Sequence, residues 1–279
     1  MPFFTPPHEP TASFFYELSP PALDPSKPTV LVLHPMWTDT SVVEQRFFPL
    51  VDAFNGDHRG HFNRLAVDLR GHGRTTSLPF KGIDHWTHAA DVALILEHLS
   101  LSAVHIVTTS TLGAPFAFAF ATLFPLHALS ISCLGLAPLY TPHENLAAFQ
   151  EVCAAWLQDE DVETFYEALD ETLWWVVGEG VSEEERDWLA GMMLRRYSPF
   201  KALRSYEATT PILLPSGLTV EDVRSIKCPV LLVAGEADQT CSVEVVKDIF
   251  SNLTSSCDAR LEVIEGGPSS HPSSGSPLH

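Results

Sequence analysis

Six short apolar runs punctuate this chain, and helix-patterned segments separate several of them. Thr29-Val-Leu-Val-Leu-His34 is the first, and Arg64-Leu-Ala-Val-Asp68 the second. Ala103–Val107, Ala128–Leu136, Pro229–Ala234 and Arg260–Ile264 follow. Near-continuous apolar character marks strands covered on both faces, not strands with one wet side. Between them, 84–99 repeats Ala89, Val92, Ala93, Leu96 and Leu99 at helical spacing, 112–124 is apolar all round, and Val243–Leu253 reads as a further helix. Strands alternating with helices predict an α/β protein with a doubly wound, mostly parallel sheet.

Two stretches depart from the alternation at the front of the chain and in its middle. Residues 1–28 hold 8 of the 22 prolines and read as an extended arm, with Ser13–Leu18 as an edge strand. Between 139 and 216 the strands cease. Thr141-Pro142-His143-Glu144 carries the Thr, Pro and Glu of a helix start, and Ser182-Glu-Glu-Glu185 is patterned as a capping box. This segment is helical in pattern and rich in aromatics: Trp156, Phe165, Tyr166, Trp174, Trp175 and Trp188. Those rings either form the insertion's own core or line a substrate pocket, for which Trp37, Trp174 and Trp175 are the candidates. Residues 266–279 hold 11 Gly, Pro or Ser among 14 and predict a flexible tail.

Charge narrows the function. The chain of 279 residues carries 16 Lys and Arg against 35 Asp and Glu, a formal net charge of −19. Residues 144–188 alone contain 14 acidic side chains and one Arg. Nucleic acid and anionic membrane surfaces would repel such a chain, so neither is an expected partner. The start, Met1-Pro2-Phe3-Phe4, lacks the basic and apolar regions of a signal peptide, and the longest apolar stretch, Leu112–Leu126, is broken by Pro115, Thr122 and Pro125. The expectation is a soluble, cytoplasmic protein. Cysteines at 133, 153, 228, 241 and 257 form no C-x-x-C pair, and neither a disulfide framework nor a metal or cofactor site is expected.

Chemistry in a doubly wound sheet gathers at the carboxyl ends of the strands. After the third run comes Thr108-Thr109-Ser110-Thr111-Leu112-Gly113 and then the apolar helix. A serine on such a turn projects its hydroxyl above the sheet, and the next N–H can hold an oxyanion. The usual G-x-S-x-G spacing is imperfect, since Thr108 and Leu112 stand at the glycine positions and Gly113 comes one residue late. A Ser/Thr-rich helix cap without chemistry has the same local pattern.

Three further turns extend the pattern: His34-Pro35-Met36-Trp37, Asp68-Leu-Arg70-Gly71-His72-Gly73, and Gly235-Glu236-Ala237-Asp238. With the Ser110 turn, they resemble the cap-bearing, serine-nucleophile branch of the α/β-hydrolase superfamily, from about residue 29 to 265. The resemblance implies roles position by position. Ser110 matches the nucleophile and Asp238 the acid. The Met36 and Thr111 amides match the oxyanion hole, Pro35 replacing a glycine that need not donate. Residues 1–138 and 217–265 match the core, and 139–216 match the cap. Asp68 and Arg70 match a structural turn, with His34 and His72 in turns as well. His105 reads as a satisfied strand residue.

The base is less sharply marked. Only His271 and His279 follow Asp238, and the family's histidine falls near Ser269, with roughly one more helix after it. His271 either completes the triad or is a solvated tail residue. Two functions are therefore expected of the sequence, beside a third reading in which the resemblance implies the same triad used for lyase or cofactor-free oxygenase chemistry. One is a serine hydrolase acting on a small, fairly apolar ester, lactone or carbonyl-activated C–C bond. The other is a catalytically impaired or truncated hydrolase-fold protein that binds a ligand or partner. A small-molecule substrate is expected in the first case, and the sequence does not fix the oligomeric state.

Overall fold

The computed structural model describes residues 2–48, 61–78, 82–108, 113–136, 139, 143–156, 162–177, 181–198, 201–213, 217–238 and 242–265. Eight strands form one sheet: β1 (Phe3–Phe4), β2 (Phe14–Ser19), β3 (Thr29–Leu33), β4 (Asn63–Val67), β5 (Val104–Thr108), β6 (Ala128–Leu134), β7 (Val230–Gly235) and β8 (Ala259–Ile264). Their spatial order is β1-β2-β4-β3-β5-β6-β7-β8. The pairings β1–β2 and β2–β4 are antiparallel, and all others are parallel.

All six apolar runs are strands; the central β3 and β4 are buried as their composition suits, whereas β8 is exposed along most of its length. Leu31, Val32 and Leu33 of β3 and Leu65, Ala66 and Val67 of β4 are buried. The fourth run, Ala128–Leu136, ends earlier than its apolar pattern suggests: Gly135 adopts φ 76°, which turns the chain out of β6 at Leu134. The N-terminal arm holds a correction. β2 is not the edge strand that its sequence suggests, since the two-residue β1 pairs outside it. A pair of phenylalanines is too short to show a period.

Helices cover the sheet. α1 (Thr40–Val42) runs on into a π-helical turn over Val43–Phe47. α2 (His85–His98) packs beside α3 (Gly113–Leu123). Every side chain of α3 from Gly113 to Ala121 is buried, which is why its sequence has no polar face. Between β6 and β7 come four consecutive helices: α4 (His143–Trp156), α5 (Val162–Val177), α6 (Glu183–Tyr197) and α7 (Ala202–Leu213). α6 starts where its sequence indicates, Ser182 accepting from the Glu185 N–H at 3.2 Å. α8 (Val220–Ser225) follows, with a reciprocal capping box between Thr219 and Asp222. The Thr-x-x-Asp spacing was the available signal for this helix. α9 (Val243–Asn252) packs on β7 and β8.

The connections set up the site. From β3 the chain moves outward to β4, then returns across β3 to β5 on its other side. That reversal is the topological switch point, where the loops leaving adjacent parallel strands diverge and leave a crevice. β3 and β5 end together, with Leu33 opposite Thr108. The His34–Asp39 loop therefore leaves the sheet beside the carboxyl end of β5.

Candidate active site

The loop after β3 is fixed by hydrogen bonds to its own carbonyls. The His34 Nδ1–H donates to Pro35 O at 2.7 Å, while Nε2 accepts from the Leu69 N–H at 3.2 Å. A carbonyl only accepts and an N–H only donates, so the ring is held as the neutral Nδ1–H tautomer. Pro35 O also accepts from the Thr38 N–H at 3.2 Å and the Thr38 hydroxyl at 2.6 Å. Proline's missing N–H costs this turn nothing, because the carbonyl is its hub. Met36 follows at 4% exposure, and Trp37 is fully buried.

The turn after β4 closes on the same loop. Asp68, fully buried, accepts from the Thr40 N–H at 2.7 Å and from the Arg74 N–H at 2.6 Å. Gly73, at φ 53°, lies so close that a Cβ there would come within 2.1 Å of Asp68 Oδ2. Arg70 is bidentate to Asp91, both bonds 2.9 Å, and makes two further 2.9 Å bonds to Glu9. Burial raises the Asp91 carboxyl above its usual range, and the Arg70 guanidinium only partly offsets that. Asp68 and Arg70 are thus spent on architecture.

The inserted helices grip both turns. The Tyr197 hydroxyl, at the end of α6, donates to Thr38 O at 2.8 Å and accepts from the Gly73 N–H at 3.0 Å. Arg196 Nε donates to Asp39 Oδ2 at 3.2 Å. Burial alone would raise the Asp39 carboxyl, but hydrogen bonds from Ser41 and the charge of Arg196 hold it below the usual range. From α4, Trp156 stacks on Trp37 with centroids 5.2 Å apart and planes at 12°. Trp156 in turn donates to Thr172 Oγ1 at 2.8 Å and meets Phe165 edge-on at 5.2 Å. Neither Tyr197 nor Arg196 carried a sequence signal; Trp156 stood out only as one aromatic among several.

Three imidazoles lie beneath this seam. His72 is 5.0 Å from His34 and 6.2 Å from His88, centroid to centroid. Nδ1 of His72 and Nε2 of His88 each donate to Arg70 O at 3.1 Å. Burial pushes His88 down to about 3 and His85 down to about 4, so both are neutral at pH 7. His105 bonds Ser130 Oγ at 2.8 Å from within β5. Burial also pushes the Cys133 and Cys153 thiols up to about 12, which removes them as nucleophiles. Among the described residues, no three His, Cys, Asp or Glu side chains are grouped to hold a metal ion, and no helix is long and apolar enough to cross a membrane.

Ser110, Thr111 and His271 lie outside the described residues, as does the side chain of Trp175. The elements that flank Ser110 are on both sides of it: β5 ends at Thr108, and α3 begins at Gly113. A Cβ on Gly113 would stand 2.4 Å from the Thr108 Cβ. Strand and helix therefore meet so closely that only glycine fits at 113. The close contact pairs Thr108 with Gly113; the late glycine is the residue that permits it. Asp238 is 6% exposed on the turn after β7, its N–H donating to Gly235 O at 3.2 Å. Glu236 N–H donates to Ile264 O at 3.0 Å, tying that turn to β8. Trp174 is half-buried on α5.

The doubly wound, mostly parallel sheet with its inserted helices defines a class of fold that sequence comparison also reaches. Residues 30–274 match the alpha/beta hydrolase family, and the chain belongs to it. No curated protein sequence matches it. Solved structures share its fold at low identity. A structure from a study of carboxylesterases of Nitrososphaera gargenis is 18% identical with TM-score 0.74, covering 96% of this chain and 91% of that one. An enol-lactonase from Burkholderia xenovorans is 15% identical with TM-score 0.69, covering 94% and 91%. A bromoperoxidase from Bacillus anthracis is 19% identical with TM-score 0.69, covering 92% and 88%.

Proposed function

We propose that the protein is a serine hydrolase of small, fairly apolar esters, lactones or carbonyl-activated C–C bonds. Ser110 Oγ attacks the carbonyl carbon while His271 takes its proton. The oxyanion rests on the Met36 and Thr111 amides, and Asp238 orients the imidazolium. Collapse of the tetrahedral intermediate returns the proton to the leaving group. Water, activated by the same histidine, then releases the acyl group. The helices between 139 and 216 act as a cap, with Trp37, Trp174 and Trp175 lining the substrate pocket.

The observation that carries this reading is the pairing of Leu33 with Thr108 at the switch point, with Gly113 packed on Thr108. It puts the start of the Met36 loop beside the end of the strand that precedes Ser110, which supports the reading that the two serve one site. Asp238 follows a strand two positions from β5, about 10 Å across the sheet at normal strand spacing. One imidazole hydrogen-bonded on both sides bridges such a gap when the flanking side chains lean inward.

The test is labelling with a fluorophosphonate and mapping of the modified peptide. The label is expected on Ser110 and absent from Ser110→Ala. His271→Ala is expected to lower ester turnover by about 10⁴-fold or more, as loss of a triad member does. Labelling elsewhere, or unchanged turnover in His271→Ala, overturns the assignment.

A further inference from the structure

Trp37 and Trp156 are two buried indoles stacked face to face, and they differ in one respect. The Trp156 Nε1–H has its acceptor in Thr172. The Trp37 Nε1–H, fully buried, has none among the described residues. Buried donors without an acceptor are rare, because desolvation removes the water that would have served them. Trp37 bears a second cost. Its φ of 54° places a bulky side chain in the left-handed backbone region that favours glycine. Strain of this kind persists where surrounding structure over-determines it, and it clusters at ligand sites. Here the surroundings are the Trp156 stack and the Tyr197 bond to the next residue, Thr38.

We infer that the Trp37 indole N–H is a specificity-determining donor to the substrate. It selects esters or lactones with a second acceptor oxygen within a few bonds of the carbonyl. This rests on the hydrolase reading, since Trp37 directly follows Met36, the proposed oxyanion donor. An oxygenated acyl or alcohol chain completes the unmet hydrogen bond, whereas an all-carbon chain of the same length leaves the N–H dry and unpaired. A site built to bond a polar group rejects the analogue lacking it more strongly than a hydrophobic pocket rejects a missing methylene.

Matched ester pairs separate the donor from ordinary pocket packing. The pairs are p-nitrophenyl methoxyacetate against butanoate, p-nitrophenyl 3-methoxypropanoate against pentanoate, and 2-methoxyethyl butanoate against butyl butanoate. The kcat/KM preference for oxygen over carbon is measured in the wild type and in Trp37→Phe, which keeps an aromatic ring against Trp156. Dividing one preference by the other cancels the intrinsic reactivity of each ester. At least one pair is expected to lose about tenfold preference in the variant. Ratios near one for all three pairs overturn the inference.

A second readout does not depend on turnover. The six tryptophans give six indole signals in a ¹⁵N-labelled sample, and Trp37→Phe identifies one of them by its loss. Titration with methoxyacetanilide is expected to move that proton downfield, and butyranilide is expected not to. Equal shifts, or none up to the solubility limit, overturn the donor role. Failure of the wild type to hydrolyse any ester removes the hydrolase reading, while the indole shift still decides the donor.

Discussion

The two flanks of the sheet are built differently. On the β2 side, Phe14, Phe15 and Tyr16 are buried, Arg70 ties the arm through Glu9 to α2 through Asp91, and inserted helices clamp the loops above. On the other side, β8 is exposed along most of its length, with Val263 at 42% and Ile264 at 37%. The flank that presents Met36 is thus fixed by hydrogen bonds, stacking and an ion-pair network. The flank that presents Asp238 is built from β7, α9 and the paired strand β8, whose side chains are largely exposed. Such fixation suits the oxyanion role proposed for the Met36 amide, because that stabilisation works only if the dipoles need not reorganise during the reaction.

The sharpest challenge to this contrast is Arg70→Met. The variant leaves Asp91, a buried carboxyl, without its cation, and a loss of about 3–5 kcal/mol is expected in urea unfolding. The lost stability should return in part as pH falls and Asp91 takes up a proton, because the folded state then has no bare charge to bury. A variant as stable as the wild type would show that the arm is held by its phenylalanines alone.

Acid should act on the same flank through His88. Its folded pKa is depressed from 6.5 to about 3, so between those values the unfolded chain binds the proton and the folded one does not. Stability therefore rises with pH through that window and is lost as pH falls from 6.5 towards 3. By pH 4 the loss from this group is about 3 kcal/mol, at 1.36 kcal/mol per unit. His88→Gln should remove about half of the slope that His88 and His85 together give the unfolding free energy between pH 6.5 and 4; an unchanged slope would place the acid sensitivity elsewhere.

Tyr197→Phe probes the clamp itself. It strips a donor from Thr38 O and an acceptor from the Gly73 N–H, at an expected cost of about 1–3 kcal/mol. If the clamp positions the Met36 loop, kcat for a simple ester should also fall about tenfold with KM little changed. A change in stability alone would make Tyr197 a structural strut with no bearing on turnover.

These contacts mark the limit of what the sequence makes legible. The strands could be read because burial on both faces writes itself locally, in runs such as Val30–Leu33. The tight Asp68–Gly73 turn was legible for the same reason: its glycine, aspartate and arginine lie within six positions. Tyr197 meets Gly73 across 124 positions, and no period or spacing links them. Trp156 was visible as an aromatic but not as the partner of Trp37, because stacking depends on how the inserted helices sit. The Ser110 turn lies between these cases. Its serine and Gly113 were readable, whereas the meaning of the late glycine needed the Thr108 contact.

The smallest expected effect lies on the bare flank. Val263→Thr exchanges one β-branched residue for another on a strand whose side chain is already 42% exposed. Stability should stay within about 0.5 kcal/mol, as for other surface substitutions, with ester turnover unchanged. The value of this variant is its sensitivity to the contrast between the flanks. An exposed methyl contributes little, whereas a covered one contributes its transfer free energy. A loss above about 1 kcal/mol that grows on dilution would mean that a second molecule covers β8 in solution, and that the flank carrying Asp238 is completed by association.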